Sequence, residues 1–232
     1  METPGLTNLA LYRLLAWSSP GYPTGAFSYS HGLEWAVENG SVTHVDELID
    51  YVTAVISRGG GWVDAVLFAH AWRASASALE LDELAQLASA FRGSAETALE
   101  SRQQGAAFLD VTRKAWPHPT LEALARRSAA SVTPIAHCIA VAVACAAHDI
   151  GLGPALHAYI HAVSANLVSA GARLIPLGQT QAQIAIARLA APIAEVAQRA
   201  PMAPLEDLGT SAPAVELCSL HHETQYTRLF RS

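Results

Sequence analysis

The sequence predicts an all-α fold, a single compact helical bundle of roughly eight to ten helices, on three observations. Alanine dominates a chain that is 51% hydrophobic and only 15% charged; it loses no side-chain entropy in a helix, and strands gain little from it. Apolar residues recur at helical spacing between turn clusters rich in proline and glycine. No strongly alternating strand run appears.

Taken in order, Leu6, Leu9, Ala10, Leu14 and Trp17 form a helical stripe that stops at Ser18-Ser19-Pro20-Gly21. Thr43 with Asp46 reads as a capping signal for a helix bearing Leu48, Ile49, Val52, Val55 and Ile56. Gly59-Gly60-Gly61 breaks that helix, and another runs from about Trp62 to Ala76. Asp82 can cap the next, and a long helix from about Ser94 to Trp116 ends before Pro117 and Pro119. Pro134 and Pro154 each stand where a helix can begin, since proline's missing N–H has no helical partner there. Gly171 reads as a helix end, and a further helix from about Gly178 to Arg199 is expected to bend at Pro192. Pro201 and Pro204 introduce a loop, then a short helix near Pro213 to His222 and a polar tail. No linker forces a division, so residues 1–232 read as a single helical domain, with 223–232 as a tail.

Composition narrows the function. The net charge is −6 and no Lys/Arg-rich block appears, which argues against nucleic-acid binding. The longest apolar stretch, Ile135 to Ala147, is shorter than the ~20 residues of a membrane-spanning helix; a buried core helix is expected, and no membrane. Cys138, Cys145 and Cys218 form an odd count suited to a reducing cytoplasm. The start, Met1-Glu2-Thr3-Pro4, lacks the basic segment of a signal peptide, so a cytoplasmic chain is expected.

Enzyme signatures are missing: there is no Gly-x-x-x-x-Gly-Lys-Ser/Thr loop, no Gly-x-Ser-x-Gly elbow and no Cys-x-x-Cys pair. Histidine supplies the metal candidates. His157 and His161, four apart on one helix face, can reach one ion, and a metal-binding helical enzyme built on them is the alternative reading. Cys145 with His148, and Cys218 with His221, His222 and Glu223, are further candidates, the latter for a soft divalent ion such as nickel or zinc. Each group supplies too few ligands for a closed site, so no tightly bound metal is expected.

Two motifs stand out. Tyr22-Pro23-Thr24-Gly25-Ala26-Phe27-Ser28-Tyr29-Ser30-His31-Gly32-Leu33-Glu34 reads as a loop entering a helix. Pro23 fixes one backbone angle, Gly25 reaches conformations closed to other residues, and Ser28 or Ser30 can cap the helix. At least one of Phe27 and Tyr29 is expected to be exposed. The other motif, Leu217-Cys218-Ser219-Leu220-His221-His222-Glu223-Thr224-Gln225-Tyr226-Thr227-Arg228-Leu229-Phe230-Arg231-Ser232, ends in the aromatic and arginine mixture that anchors interfaces. Such a tail should dock, on a partner or on its own domain.

Together these residues resemble the UreF family of urease accessory proteins. The resemblance rests on Pro23 to Glu34 and His222 to Ser232, and on two blocks between them, Glu100-Ser101-Arg102-Gln103-Gln104-Gly105 and Arg173-Leu174-Ile175-Pro176-Leu177-Gly178-Gln179-Thr180. Thr24 and His221 depart from the pattern, where a larger aliphatic and an arginine are commoner. The resemblance implies an all-helical homodimer without catalytic activity, which bridges the UreD/UreH accessory protein to the UreG GTPase and regulates GTP-dependent delivery of nickel to apo-urease. Nickel would be cargo rather than cofactor. Residue by residue, it nominates Pro23, Gly25, Phe27, Ser28, Tyr29, Glu34, His222, Glu223, Tyr226, Arg228, Leu229 and Phe230 as partner-binding. It also implies a cation–π contact of about 1 kcal/mol between Arg228 and Phe27.

Overall fold

The computed structural model describes residues 6–130 and 134–232; the acidic start Met1–Pro4 lies outside them. Twelve α-helices occur among the described residues: α1 (Asn8–Trp17), α2 (Leu33–Glu38), α3 (Val45–Arg58), α4 (Gly60–Arg73), α5 (Ala78–Ala90) and α6 (Ala95–Ala115). They continue with α7 (Pro119–Ala130), α8 (His137–Ala147), α9 (Leu152–Leu174), α10 (Gln179–Arg188), α11 (Ala190–Arg199) and α12 (Pro213–His222). Three single-turn 3-10 segments complete the set, and no strand occurs among the described residues.

The apolar stretch expected to be a core helix is α8, buried without interruption from Cys138 to Cys145. Its alanines, valines and cysteines are small enough for α4 and α6 to pack closely along it. The long α9 lies against α3, α4, α8, α10 and α11, and one continuous apolar core joins these helices. No single described helix is long and apolar enough to cross a membrane; α3 and α4 pass that test only as a bent pair, and their apolar faces are buried in this core. The short α2 packs against both α9 and α12, which brings the two ends of the chain together.

Several expectations need correction. The helix count exceeds eight to ten, partly because 178–199 is two helices: the break falls at Leu189, and Pro192 sits in the first turn of α11, where its missing N–H has no helical partner. Ser77, not Asp82, caps α5; its hydroxyl accepts from the Glu80 amide, while Asp82 lies within the helix and pairs with Arg127. Thr43 pairs with Glu47 rather than Asp46, donating to it through N–H and hydroxyl at 2.7 and 2.8 Å; Asp46 reaches Arg188. Gly171 does not end a helix but lies inside α9, where a Cβ would sit 2.6 Å from the Leu48 side chain. Close packing against α3, not helix termination, calls for glycine there.

Candidate functional site

The N-terminal loop is shaped by two left-handed corners. Gly25, at φ 78°, starts the 3-10 turn Ala26–Ser28; a Cβ there would meet nothing within 4 Å, so the requirement is purely one of backbone angle. His31 and Gly32 follow at φ 57° and 77° and turn the chain into α2. A Cβ on Gly32 would lie 2.6 Å from the Ser219 amide nitrogen, so this glycine also admits α12. Gly32, not Ser28 or Ser30, is the N-cap of α2 and supplies no side-chain cap; the Ser30 hydroxyl, two residues earlier, accepts from the Glu34 N–H at 3.3 Å.

Glu34 is the centre of the site. Its side chain is 8% exposed, and its carboxylate accepts from the Leu229 N–H at 2.6 Å, the Phe230 N–H at 2.9 Å and His222 Nε2 at 3.1 Å. The other ring nitrogen of His222 lies 2.6 Å from Glu96 on α6, whose second oxygen accepts from Arg228 at 2.6 Å. Further along the tail, the Arg231 N–H donates to the Ser28 carbonyl at 2.8 Å and the Ser30 N–H donates to the Ser232 carbonyl at 2.7 Å. The Ser232 hydroxyl reaches Glu100 at 2.9 Å. Glu223 accepts from the Ala95 N–H at 2.7 Å, at the start of α6 where unpaired amides favour a carboxylate. Residues 223–232 therefore lie across the N-terminal loop of their own chain.

Arg173, at the end of α9, pins the two motifs from outside. Its guanidinium lies 3.6 Å from the centre of the Phe27 ring and 4.3 Å from that of Phe230, and it donates to the Phe27 carbonyl at 2.9 Å. Desolvation between the rings lowers its pKa, though a guanidinium stays charged at neutral pH. The cation on Phe27 is thus Arg173, not Arg228. Arg228 is taken up by Glu96, because the anchored Leu229 and Phe230 amides place it beside α6.

The nominated residues divide into those that hold and those that display. Glu34, His222 and Phe230 are buried. Tyr29 is buried too, and its hydroxyl, pushed up chiefly by desolvation, donates to Gln103. Ser28 and Glu223 are half-buried, while Pro23, Gly25 and Arg228 are exposed. Phe27 at 64%, Tyr226 at 102% and Leu229 at 65% present their side chains outward. His221 stacks on Trp35 with ring centres 5.2 Å apart.

The metal candidates are not brought together: among the described residues no three His, Cys, Asp or Glu side chains gather in a metal-holding group. His157 and His161 are exposed on α9, and both ring nitrogens of His222 face carboxylates. Cys145 is buried, which pushes its thiol up and away from the thiolate a metal needs; burial also raises Cys218.

Beneath the site, Asp64 of α4 pairs with Arg92 at 2.8 Å and accepts from Tyr159 at 3.1 Å. Burial pushes the Asp64 carboxyl up, but Arg92, together with hydrogen bonds from Cys138 and Tyr159, outweighs it and holds the group below its usual range. Glu96, Arg173 and Ser219 were not singled out in the sequence. Arg173 lies in a recognised block, yet nothing local marks it as the partner of an aromatic ring 146 positions away.

Residues 42–190 match the UreF family model. The chain is 48% identical over 225 residues to the urease accessory protein UreF of Bradyrhizobium diazoefficiens, covering 96% of this chain and 92% of that protein. It is 49% identical over 232 residues to the urease accessory protein UreF of Granulibacter bethesdensis, covering 99% and 97%. A relative of the same name from Rhodopseudomonas palustris is 48% identical over 225 residues, covering 96% and 91%. The family match stops short of both terminal motifs, whereas these relatives align across nearly the whole chain.

Proposed function

Because this chain belongs to the UreF family of urease accessory proteins, we propose that it scaffolds the UreD/UreH and UreG partners and regulates GTP-dependent nickel insertion into apo-urease. As a urease accessory protein it is not itself an enzyme. The observation that carries the scaffold reading is the pairing of a rigid, buried hydrogen-bonded base with an outward apolar display. Phe27, Tyr226 and Leu229 are 64%, 102% and 65% exposed, and they are large apolar side chains of the kind that supply interface anchors. Glu34 and Arg173 hold the backbone beneath them, and Glu96 holds the His222 and Arg228 side chains, so a partner that met this face would order little of it on binding.

In this reading UreD/UreH meets the joined terminal motifs, and the chain works in the cytoplasm as a homodimer. Nickel is cargo, with no metal tightly resident. Two perturbations test the face. Arg228→Ala removes the Glu96 partner at a position whose side chain is 39% exposed, and deletion of residues 223–232 removes the tail. Loss of UreD/UreH capture in a pull-down, with helical circular dichroism retained, is the expected result. Capture at the wild-type level by the folded deletion variant overturns the assignment of this face. Metal analysis of the purified chain should find far less than one nickel per chain; a stoichiometric ion would favour a metal-centred role.

A further inference from the structure

A cleft of about 850 Å3 lies where the end of α3 and the start of α4 meet α11 and the 207–211 loop. Its volume falls in the range of small-molecule sites, roughly 300–1,000 Å3. None of the nominated partner-binding residues lines it. The Gly59-Gly60-Gly61 break between α3 and α4 sets Arg58 and Trp62 on its rim. The Ser211 N–H donates to the Arg58 carbonyl at 2.7 Å, which ties the loop to the end of α3. Ala191 and Pro192, in the first turn of α11, are too small to fill the space between.

Trp62 is half-buried and supplies the apolar wall. The Arg199 guanidinium lies 5.1 Å from its ring centre and pairs with Glu195, one turn back, at 2.9 Å. An indole and a guanidinium both stack on planar rings. Among the described residues, Arg58 forms no ion pair, and its side chain makes no hydrogen bond to the chain. The same holds for the Asp207 carboxylate, and the Trp62 indole N–H and the Thr53, Thr210 and Ser211 hydroxyls also lack a hydrogen-bond partner there. Donors therefore prevail: a guanidinium, an indole N–H and hydroxyls that can turn either way face a single free carboxylate.

The geometry points to a site for a small ring-bearing monophosphate of the nucleoside monophosphate class. An acceptor-rich anionic group satisfies the Arg58 guanidinium, which can pair with a phosphate through two N–H groups. A planar ring lies against the Trp62–Arg199 pair, and a ribose hydroxyl or amino group donates to Asp207. One unpaired guanidinium suits one phosphate. A polyphosphate would need the backbone cradle of a Gly-x-x-x-x-Gly-Lys-Ser/Thr loop, which the sequence does not contain. The site belongs to this chain alone and rests on none of the partner assignments above.

The test follows the indole N–H resonances of the full chain by NMR, with isotope-labelled tryptophan; there are five, and Trp62→Phe identifies the one in the cleft. AMP, adenosine, ribose 5-phosphate and inorganic phosphate are added separately up to about 10 mM, enough to reveal millimolar binding. AMP should move the Trp62 resonance saturably and bind at least about tenfold more tightly than each of the other three. Arg58→Ala should reduce AMP to the affinity of adenosine. Asp207→Ala should weaken AMP and adenosine and leave inorganic phosphate unchanged. Both residues are exposed, so helical circular dichroism should be retained in each variant. Three outcomes overturn the assignment: no saturable movement with AMP, inorganic phosphate binding as tightly as AMP, or full AMP affinity in Arg58→Ala.

Discussion

Replacing Glu34 with glutamine is the sharpest perturbation of the joined termini, because shape is kept and only charge and acceptor capacity change. Three donors converge on this carboxylate, at 2.6, 2.9 and 3.1 Å. A hydrogen bond to a charged acceptor contributes roughly 1.5–3 kcal/mol, against about 1 for a neutral one. The amide keeps one acceptor oxygen and turns a donor toward the others. In its better orientation the NH2 group faces Leu229 and forfeits one bond, while the remaining two fall to neutral strength. The sum is a loss of roughly 2.5–7 kcal/mol in tail docking. Releasing the tail also exposes Phe230, whose burial contributes about 1.5–3 kcal/mol; the tail should therefore open before the core unfolds. Trypsin reads this at Arg228 and Arg231, where cleavage tracks the open population when reclosing is fast. Cleavage at least about a hundredfold faster is expected, with helical circular dichroism preserved. Tail cleavage at the wild-type rate, with stability unchanged within about 0.5 kcal/mol, would refute the reasoning.

Two further outcomes follow. Arg173→Ala removes the cation between Phe27 and Phe230 and the donor to the Phe27 carbonyl. It should destabilise the chain by about 1–2 kcal/mol in chemical denaturation and shorten the fluorescence-anisotropy correlation time of a probe at position 27; an unchanged loop would count against the pin. His137 is buried, which lowers its pKa from 6.5 to about 4. The unfolded chain takes up that proton first as pH falls, so stability is fully present above about 6.5 and declines toward 4, by up to about 1.4 kcal/mol per unit. His137→Phe, measured by denaturation across that window, should flatten this dependence; an unaltered slope would show that other groups cause it.

Much of the fold was legible locally. The starts of α6 beside Ser94 and of α12 at Pro213 fall where the sequence placed them, because helix-start chemistry acts within one turn. Ile135 to Ala147 lies across the core, since its hydrophobicity has no other stable place. Misreadings arose where a local signal competed with a distant contact. Asp82 has the chemistry of a cap but faces Arg127 of α7, and Gly171 resembles a terminator but serves the approach of Leu48. The site divides in the same way: Gly25, Ser30 and Glu34 could be noticed in the N-terminal loop, but the residues that fix their roles come from α6, α9 and the far end of the chain.

The two terminal motifs were visible in the sequence as unusual segments, and their pairing with two further blocks pointed to the family. The tertiary structure decided what they are to each other. Hydrogen bonds linking Glu34 to Leu229 and Phe230 span 195 and 196 positions, a separation no periodicity or motif spacing encodes. It also decided which arginine meets which ring, because the anchored backbone turns Arg228 toward Glu96 and leaves Phe27 to Arg173. Residue types set which contacts are chemically available; the packing of α2 against α9 and α12 selects which of them form.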